Sequence, residues 1–340
     1  MLHETPPGPL RPASDGRASR ERGAVLALLQ LVLRRLMSAF VLIIGVSFAS
    51  FLLIAIAPGD PARQIVGLEG SQADYLRVRA KLGLDQSVLH QYFTWLGSAL
   101  HGDLGTSIFN SQPVIGAIGE RLPVTFNLIL GSLTLSLLIG VALGVFSAVR
   151  GGTLGFLADG FFLIGFALPT FWVGAILIVI FAVNLRWFPA TGYVNFAVSP
   201  QLWLSSLILP VAALALNGVA AFAKLTRESM LGSLGSEHVR MARAAGASER
   251  SVIYRHALRN AAMPVITVVG VHFAALLGGT VYVETVFAMP GLGGLVATSA
   301  GKQDIPVIQG AVVTFTIIVV VVNLIVDLAY AWVDPRVRAA

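Results

Sequence analysis

Six stretches of this 340-residue chain stay apolar long enough to cross a bilayer as helices, which takes roughly 20 residues. The first runs from about Leu36 to Ala57, directly after Arg34 and Arg35. The others cover about Leu122–Val149, Gly160–Leu185, Leu202–Ala223, Ala261–Val283 and Val307–Tyr330. Two of the polar intervals between them are long. In the first, residues 59–121, YLRVRAKLGL and SVLHQYFTWLGSAL carry apolar residues at helical spacing, with Gly83 and Asp85 as breakers between them. This pattern predicts short helices lying at or above the outer surface and ending at the turn HGDLGTS. The second long interval, residues 224–260, interrupts the oily sequence with arginines set among small residues.

The ends read differently. Residues 1–33 mix Pro, Ser and Gly with Arg11, Arg17, Arg20 and Arg22, which predicts a largely disordered extension with an amphipathic lead-in helix from Ala24. Ala55-Ile56-Ala57 has the form of a signal cleavage site. The apolar run before it, however, exceeds the roughly 7–15 residues of a signal core, and Pro58 follows at once. The organisation that results is an extension (1–33), a first span (34–58), an outer segment (59–121), a transmembrane domain (122–330) and a tail (331–340). The fold class is an all-α polytopic membrane protein.

Composition agrees: 56% of residues are hydrophobic and 12% charged, about half the charge of a soluble domain. Charge then orients the spans. With both termini in the cytoplasm, sixteen of the 23 Lys and Arg fall on the inner side, and five of the remaining seven lie in the long outer segment, where the positive-inside bias counts for less. The net charge of +6 follows from these loops and gives no reason to expect nucleic acid. The chain has no cysteine, so disulfides, thiolate metal sites and cysteine nucleophiles are excluded.

The 224–260 interval predicts two short helices. Ser236 caps the first with Glu237 in its positive first turn, Gly246 ends it, and Ser248 caps the second, which continues through Arg255 and Arg259 toward the membrane. Val239, Ala242, Ala245 and Gly246 share one face, with Arg240 and Arg243 beside it. Such a face suits close approach to another protein. An amphipathic hairpin resting on anionic headgroups, each arginine contributing about 1 kcal/mol, is the equal alternative on local chemistry.

The segment EHVRMARAAGASERSVIYRHALRNAAMPV resembles the EAA-type cytoplasmic loop of binding-protein-dependent ABC importers, in the form found in dipeptide, oligopeptide and nickel permeases. Arg240 stands at the archetypal glutamate, and His256-Ala257-Leu258-Arg259 replaces the later Ile-x-Leu-Pro. LLIAIAPGDPAR, KLGLDQSVLHQY, GDLGTS, ERLPVT, VETVFAMPGLG and VNLIVDLAYAWVDPRVR resemble the first (B-type) permease subunit of such importers, in the same order.

The resemblance implies a type I ABC importer transmembrane fold in a bacterial plasma membrane. It also implies that Glu237, Arg240, Arg243, Ala244, Ala245 and Gly246 belong to a coupling helix seated on an ATPase subunit. The implied partners are a second, C-type permease, two ABC ATPase subunits or domains, an extracytoplasmic binding protein and membrane lipid. ATP and Mg would be bound by those subunits and no cofactor by this chain, with peptides or a related small solute as cargo.

The residues themselves constrain the energy source. There is no G-x-x-x-x-G-K-[ST] loop, since Gly301-Lys302 lacks both the earlier glycine and the following hydroxyl. An ion-coupled secondary transporter, the alternative function, needs ionisable groups in its spans. The candidates are Asp159 and Asp327 near inner ends, Glu284 at an outer end and His272 in mid-span, beside Asn127, Asn217 and Asn323. His272 and the asparagines read first as interhelical hydrogen-bonding groups. Asp159 and Asp327 are also the only aspartates an intramembrane protease reading has to work with. Gly140 and Gly144 form a G-x-x-x-G packing signal. The turn VETVFAMPGLGGL makes Phe287, Met289, Pro290 and Gly291 a candidate outer gate, with a buried re-entrant connector as the structural alternative.

Overall fold

The computed structural model describes residues 15–67 and 69–333, and every regular element among them is helical. Helix α1 (Asp15–Ile56) is continuous, with its apolar part at Leu33–Ile56. The disorder expected for the extension is therefore corrected from Asp15 onward. All the early prolines precede that residue, and the Ala, Leu and Arg that follow are good helix formers. Residues 1–14 lie outside the described residues, as do 334–340 of the expected tail.

The outer segment holds α2 (Pro61–Val66), α3 (Gln72–Lys81) and α4 (Val88–Leu100). Each begins at a side-chain cap: Asp60 accepts from the Ala62 and Arg63 amides, Ser71 from Asp74 and Ser87 from His90. The Tyr75 hydroxyl donates to Asp60 at 2.7 Å and so ties α3 to the start of α2. Desolvation pushes the Asp60 carboxyl up, but the Tyr75 hydroxyl, the two amides and Arg79 outweigh it and hold the group below its ordinary value.

Five helices are long and apolar enough to span, and a sixth span is counted if one bent pair is taken together. Helix α5 (Val114–Arg150) starts eight residues before the span predicted from Leu122, with Pro123 tolerated near its beginning. The expected single span at 160–185 is corrected. It is α6 (Gly152–Ala167) followed by α7 (Thr170–Leu177) and a wider-wound turn at Ile178–Asn184, bent by 97° at the break. The cause is Pro169, which forces Leu168 out of the helical region (ψ 122°). The Asn217 amide lies 3.5 Å from the Leu168 carbonyl and from Thr170 Oγ1, covering the opened backbone.

Helix α8 (Pro200–Leu234) also departs from expectation. Its 35 residues extend about 52 Å at 1.5 Å per residue, well beyond a hydrocarbon core of about 30 Å. The predicted span 202–223 is thus the membrane part of a longer rod, and the 224–260 interval begins inside it. The chain continues through α9 (Glu237–Ala244), α10 (Glu249–Ser251) and a wider-wound turn at Val252–Ala257. It then runs on as α11 (Leu258–Val286), α12 (Leu292–Lys302) and α13 (Ile305–Val333).

Helices α5 and α8 form the central pair, with α11 laid across both and α13 packed on α1 and α11. Gly140 and Gly144 let the two backbones come close: a Cβ on Gly144 would stand 2.6 Å from the Ala223 carbonyl oxygen. Leu128, Ile129, Leu214, Phe273 and Leu277 fill the core between these rods. His272 packs edge-on against Phe222, 5.0 Å between rings, and its Nε2 finds no hydrogen-bond partner among the described residues. The interhelical hydrogen bond expected of it is therefore absent.

The loops sort to two ends. At one, Ser107 donates to Asp304 at 2.5 Å, Gln303 donates to the Ala57 and Pro58 carbonyls, and the Gly192 amide donates to Phe287 O. At the other, the end of α5 meets Met230 and Ala257. Two arginine–aspartate pairs link helices away from the loop-rich end: Arg35 with Asp327 at 2.9 Å, and Arg227 with Asp159 at 2.8 Å. Both aspartates left open by the sequence are thus held by arginines of neighbouring helices.

Candidate functional site

The polar interval folds as a hairpin beneath α8 and α11. Ser236 occupies the N-cap position of α9 in extended conformation, but its side chain does not cap the helix. Its hydroxyl instead donates back to the Ser233 carbonyl and accepts from His238 Nδ1 at 3.0 Å. With that tautomer, assigned from the network, His238 Nε2 accepts from the Asn260 amide at 2.9 Å and ties α9 to α11.

The far end of α9 is closed by the left-handed device that glycine permits. Gly246 has φ 83°, its amide reaches Arg243 O, and the Ala247 amide reaches Ala242 O. These two bonds are the Schellman pair. Ser248 then caps the returning helix by accepting from the Ser251 amide. Arg243 closes the hairpin with two bonds to Glu249, at 2.8 and 3.2 Å. That partner pushes the Glu249 carboxyl down and the Arg243 guanidinium up.

The predicted small-residue face is divided. Val239 is fully buried against its own chain, whereas Ala245 and Gly246 face outward with Glu237, Arg240 and Ala244. Arg243 remains 41% exposed while its guanidinium is paired with Glu249 within the hairpin. Arg240 makes no ion pair among the described residues. Met241, which the sequence reading passed over, is 71% exposed at the centre of the outward face.

The candidate gate lies at the opposite end of α11. Phe287 and Met289 are 2% and 4% exposed and belong to the main core, with the Phe287 ring against Gly174 of α7. The turn is held by two residues the sequence had not joined. Glu284 is buried and accepts from Thr125 Oγ1 at 2.7 Å and from the Gly294 amide at 2.8 Å. Thr125 in turn accepts from the Leu292 amide at 2.8 Å. Gly291 abuts the same carboxylate so closely that a Cβ would overlap it. A lone acid at the end of an oily span, followed by a glycine-rich turn, was the available signal.

Comparison with known proteins decides the family. Residues 140–339 match the model of the binding-protein-dependent transport system inner membrane component, and residues 28–129 match that of its N-terminal region. The chain belongs to this family. It is a multi-pass permease component of an ABC importer and a membrane transport protein, not an enzyme.

The permease is 41% identical over 316 residues to a putative peptide transport system permease protein of Brucella abortus, covering 91% of this chain and 98% of that one. It is 40% identical to the oligopeptide transport system permease protein AppB of Bacillus subtilis, covering 90% and 98%. It is 37% identical to the glutathione transport system permease protein GsiC of Escherichia coli, covering 92% and 99%. The all-α, six-span reading with a type I importer fold stands, with its third span broken at Pro169. Nothing in the family or the geometry favours the ion-coupled alternative.

Proposed function

We propose that this permease forms half of the pathway by which an ATP-driven importer takes up peptides or a related small solute, and that the hairpin at 235–257 couples it to a nucleotide cycle. The names borne by its relatives support the cargo class. In this reading a second permease supplies the other wall, and two ATPase subunits that bind ATP and Mg dock on the coupling hairpins. An extracytoplasmic binding protein delivers the solute, and both termini and the hairpin face the cytoplasm.

The observation that carries the reading is the outward face of α9. Glu237, Arg240, Met241, Ala244 and Ala245 are exposed together on a helix anchored by buried Val239 and locked at both ends. A helix held so firmly moves as one body, and its small exposed residues let another backbone approach. Alternating access then follows from tilting of α8 and α11, which the hairpin joins directly. The turn at Phe287, Met289, Pro290 and Gly291, with Phe287 and Met289 buried in the core, acts as the closed outer gate.

Ala245→Trp places bulk on the docking face without disturbing a buried contact. ATPase activity of the assembled importer should then lose its stimulation by substrate-loaded binding protein, while the complex still assembles with its ATPase at reduced affinity. Full stimulation in that variant overturns the coupling role. Phe287→Ala should raise basal ATPase activity or solute leak, and unchanged values for both remove the gate. Identifying the molecule that the co-purified binding protein holds tests the cargo.

A further inference from the structure

Helix α4 carries no Asp, Glu, Lys or Arg in its thirteen residues, although it lies in the segment expected at or above the surface. Its residues divide into three arcs. Tyr92 is 2% exposed and points into α1. Leu89, Phe93, Leu96 and Leu100 follow one another at i+4, i+7 and i+11 on the adjoining arc, and Leu89, Phe93 and Leu100 are 56%, 62% and 66% exposed. His90, Thr94 and Ser98 occupy the opposite side.

The contact with α1 fixes the height of this helix. Tyr92 OH lies 2.9 Å from Ser47 Oγ and donates to the Ile44 carbonyl at 3.3 Å, and its ring meets Phe48 and Phe51 edge-on. Ser47 stands nine residues before the end of α1 at Ile56, about 14 Å down the helix. From the other side, fully buried Gln309, in the second turn of α13, donates to the Ser47 carbonyl. Helix α4 therefore runs beside the last turns of α1, at the level where the second turn of α13 meets α1, and not beyond the ends of these helices. The Tyr92 ring meets both Phe48 of α1 and Phe93 of the stripe, 5.1 and 5.5 Å between ring centres, so the stripe begins next to exposed apolar residues of α1, where Phe48 and Leu52 are 36% and 43% exposed.

We infer that α4 is an in-plane membrane helix, its Leu89–Phe93–Leu96–Leu100 stripe covered by the acyl chains of the leaflet at the loop-rich end. The height set by Tyr92, the absence of charge and the neighbouring exposed apolar residues Phe48 and Leu52 of α1 select lipid as the occupant. Amphipathic helices of this kind bury their apolar face about 5–10 Å into the boundary between headgroups and chains. The inference rests on the membrane location of the family and not on the cargo or the coupling mechanism.

The test uses the absence of cysteine in the chain. L89C, F93C and L100C, with T94C and S98C for the polar side, are labelled with the environment-sensitive fluorophore NBD. The full chain, with the partners it purifies with, is reconstituted in phosphatidylethanolamine–phosphatidylglycerol vesicles. Labels at Leu89, Phe93 and Leu100 should emit to the blue of those at Thr94 and Ser98, and acyl-chain-brominated lipid should quench them. Aqueous iodide should quench only the Thr94 and Ser98 labels. Equal iodide quenching on both sides overturns the inference by placing α4 in water. Protection of the Phe93 label from both quenchers overturns it by showing a protein cover.

Discussion

Thr125 of α5 and Glu284 of α11, 159 positions apart in sequence, meet at 2.7 Å and together hold the turn that follows α11. Thr125 stands in the middle of the chain of bonds, donating to the carboxylate and accepting from the Leu292 amide. This joins α5 to the turn at 287–291 through one hydroxyl.

Thr125→Val keeps the shape and deletes both bonds, leaving a buried carboxylate oxygen and a buried amide short of partners. Each unsatisfied buried group costs about 1–3 kcal/mol. The detergent-solubilised variant should unfold at a lower temperature, with new protease sensitivity confined to residues 286–294. Thr125→Ser restores the hydroxyl and should recover most of the loss. A Val variant as stable and as protected as the parent would show that the bonds contribute nothing.

Gly144 gives a second, independent stability prediction. A Cβ there meets the Ala223 carbonyl oxygen and Thr226 Cβ, both at 2.6 Å, and backbone cannot step aside as a flexible side chain does. Gly144→Ala should force α5 and α8 apart at an overpacking cost of about 1–3 kcal/mol. Gly119→Ala, where a Cβ meets open space, is the control. The difference between their thermal unfolding midpoints measures the effect, and equal midpoints would contradict it.

What the sequence made legible follows from the range of the interactions involved. Hydropathy is local, so the positions of the spans were readable from Leu36 onward. The positive φ of Gly246 was readable too, because helix closure needs that residue type at that place. The break in the third span was written in Leu168-Pro169 but hidden by an apolar run that continues through it. Arg227 with Asp159, and Thr125 with Glu284, were not readable, because each pair forms only once helices far apart in the chain pack together. At the hairpin Val239, expected on one face with Ala245 and Gly246, is buried while they are exposed, because periodicity alone cannot say which neighbour a helix face meets.

Gly246 separates strain from docking. Its φ of 83° sits in open space, so Gly246→Ala meets no atom and adds only the left-handed penalty, about 1–2 kcal/mol for a residue with a Cβ. Hydrogen exchange of the amides at 246 and 247 should speed up about 5- to 30-fold, the factor matching that penalty. Ala245→Trp should leave those rates unchanged while losing stimulated ATPase activity. If the two variants behave alike in both measurements, closure of α9 and its docking are not separable properties.

The Arg243–Glu249 pair gives the hairpin a dependence on acid with a definite sign. Hydrogen bonding from Arg243 places the folded carboxyl of Glu249 below its ordinary value of 4.5. A carboxyl lowered on folding contributes its stabilisation above the unfolded value, and the contribution disappears as pH falls through the folded one. Both groups are exposed, so the contribution is small and weakens further with salt. A spin label on Ala247→Cys, beside the closing glycine, should therefore gain mobility as pH drops below 4.5, and more steeply at low ionic strength. Glu249→Gln should show the higher mobility at neutral pH already, with no further change on acidification. Parallel curves for the parent and the Gln variant would assign the acid response to another group, and Asp60, whose carboxyl is also lowered, lies too far along the chain and at the opposite end of the bundle to move this label.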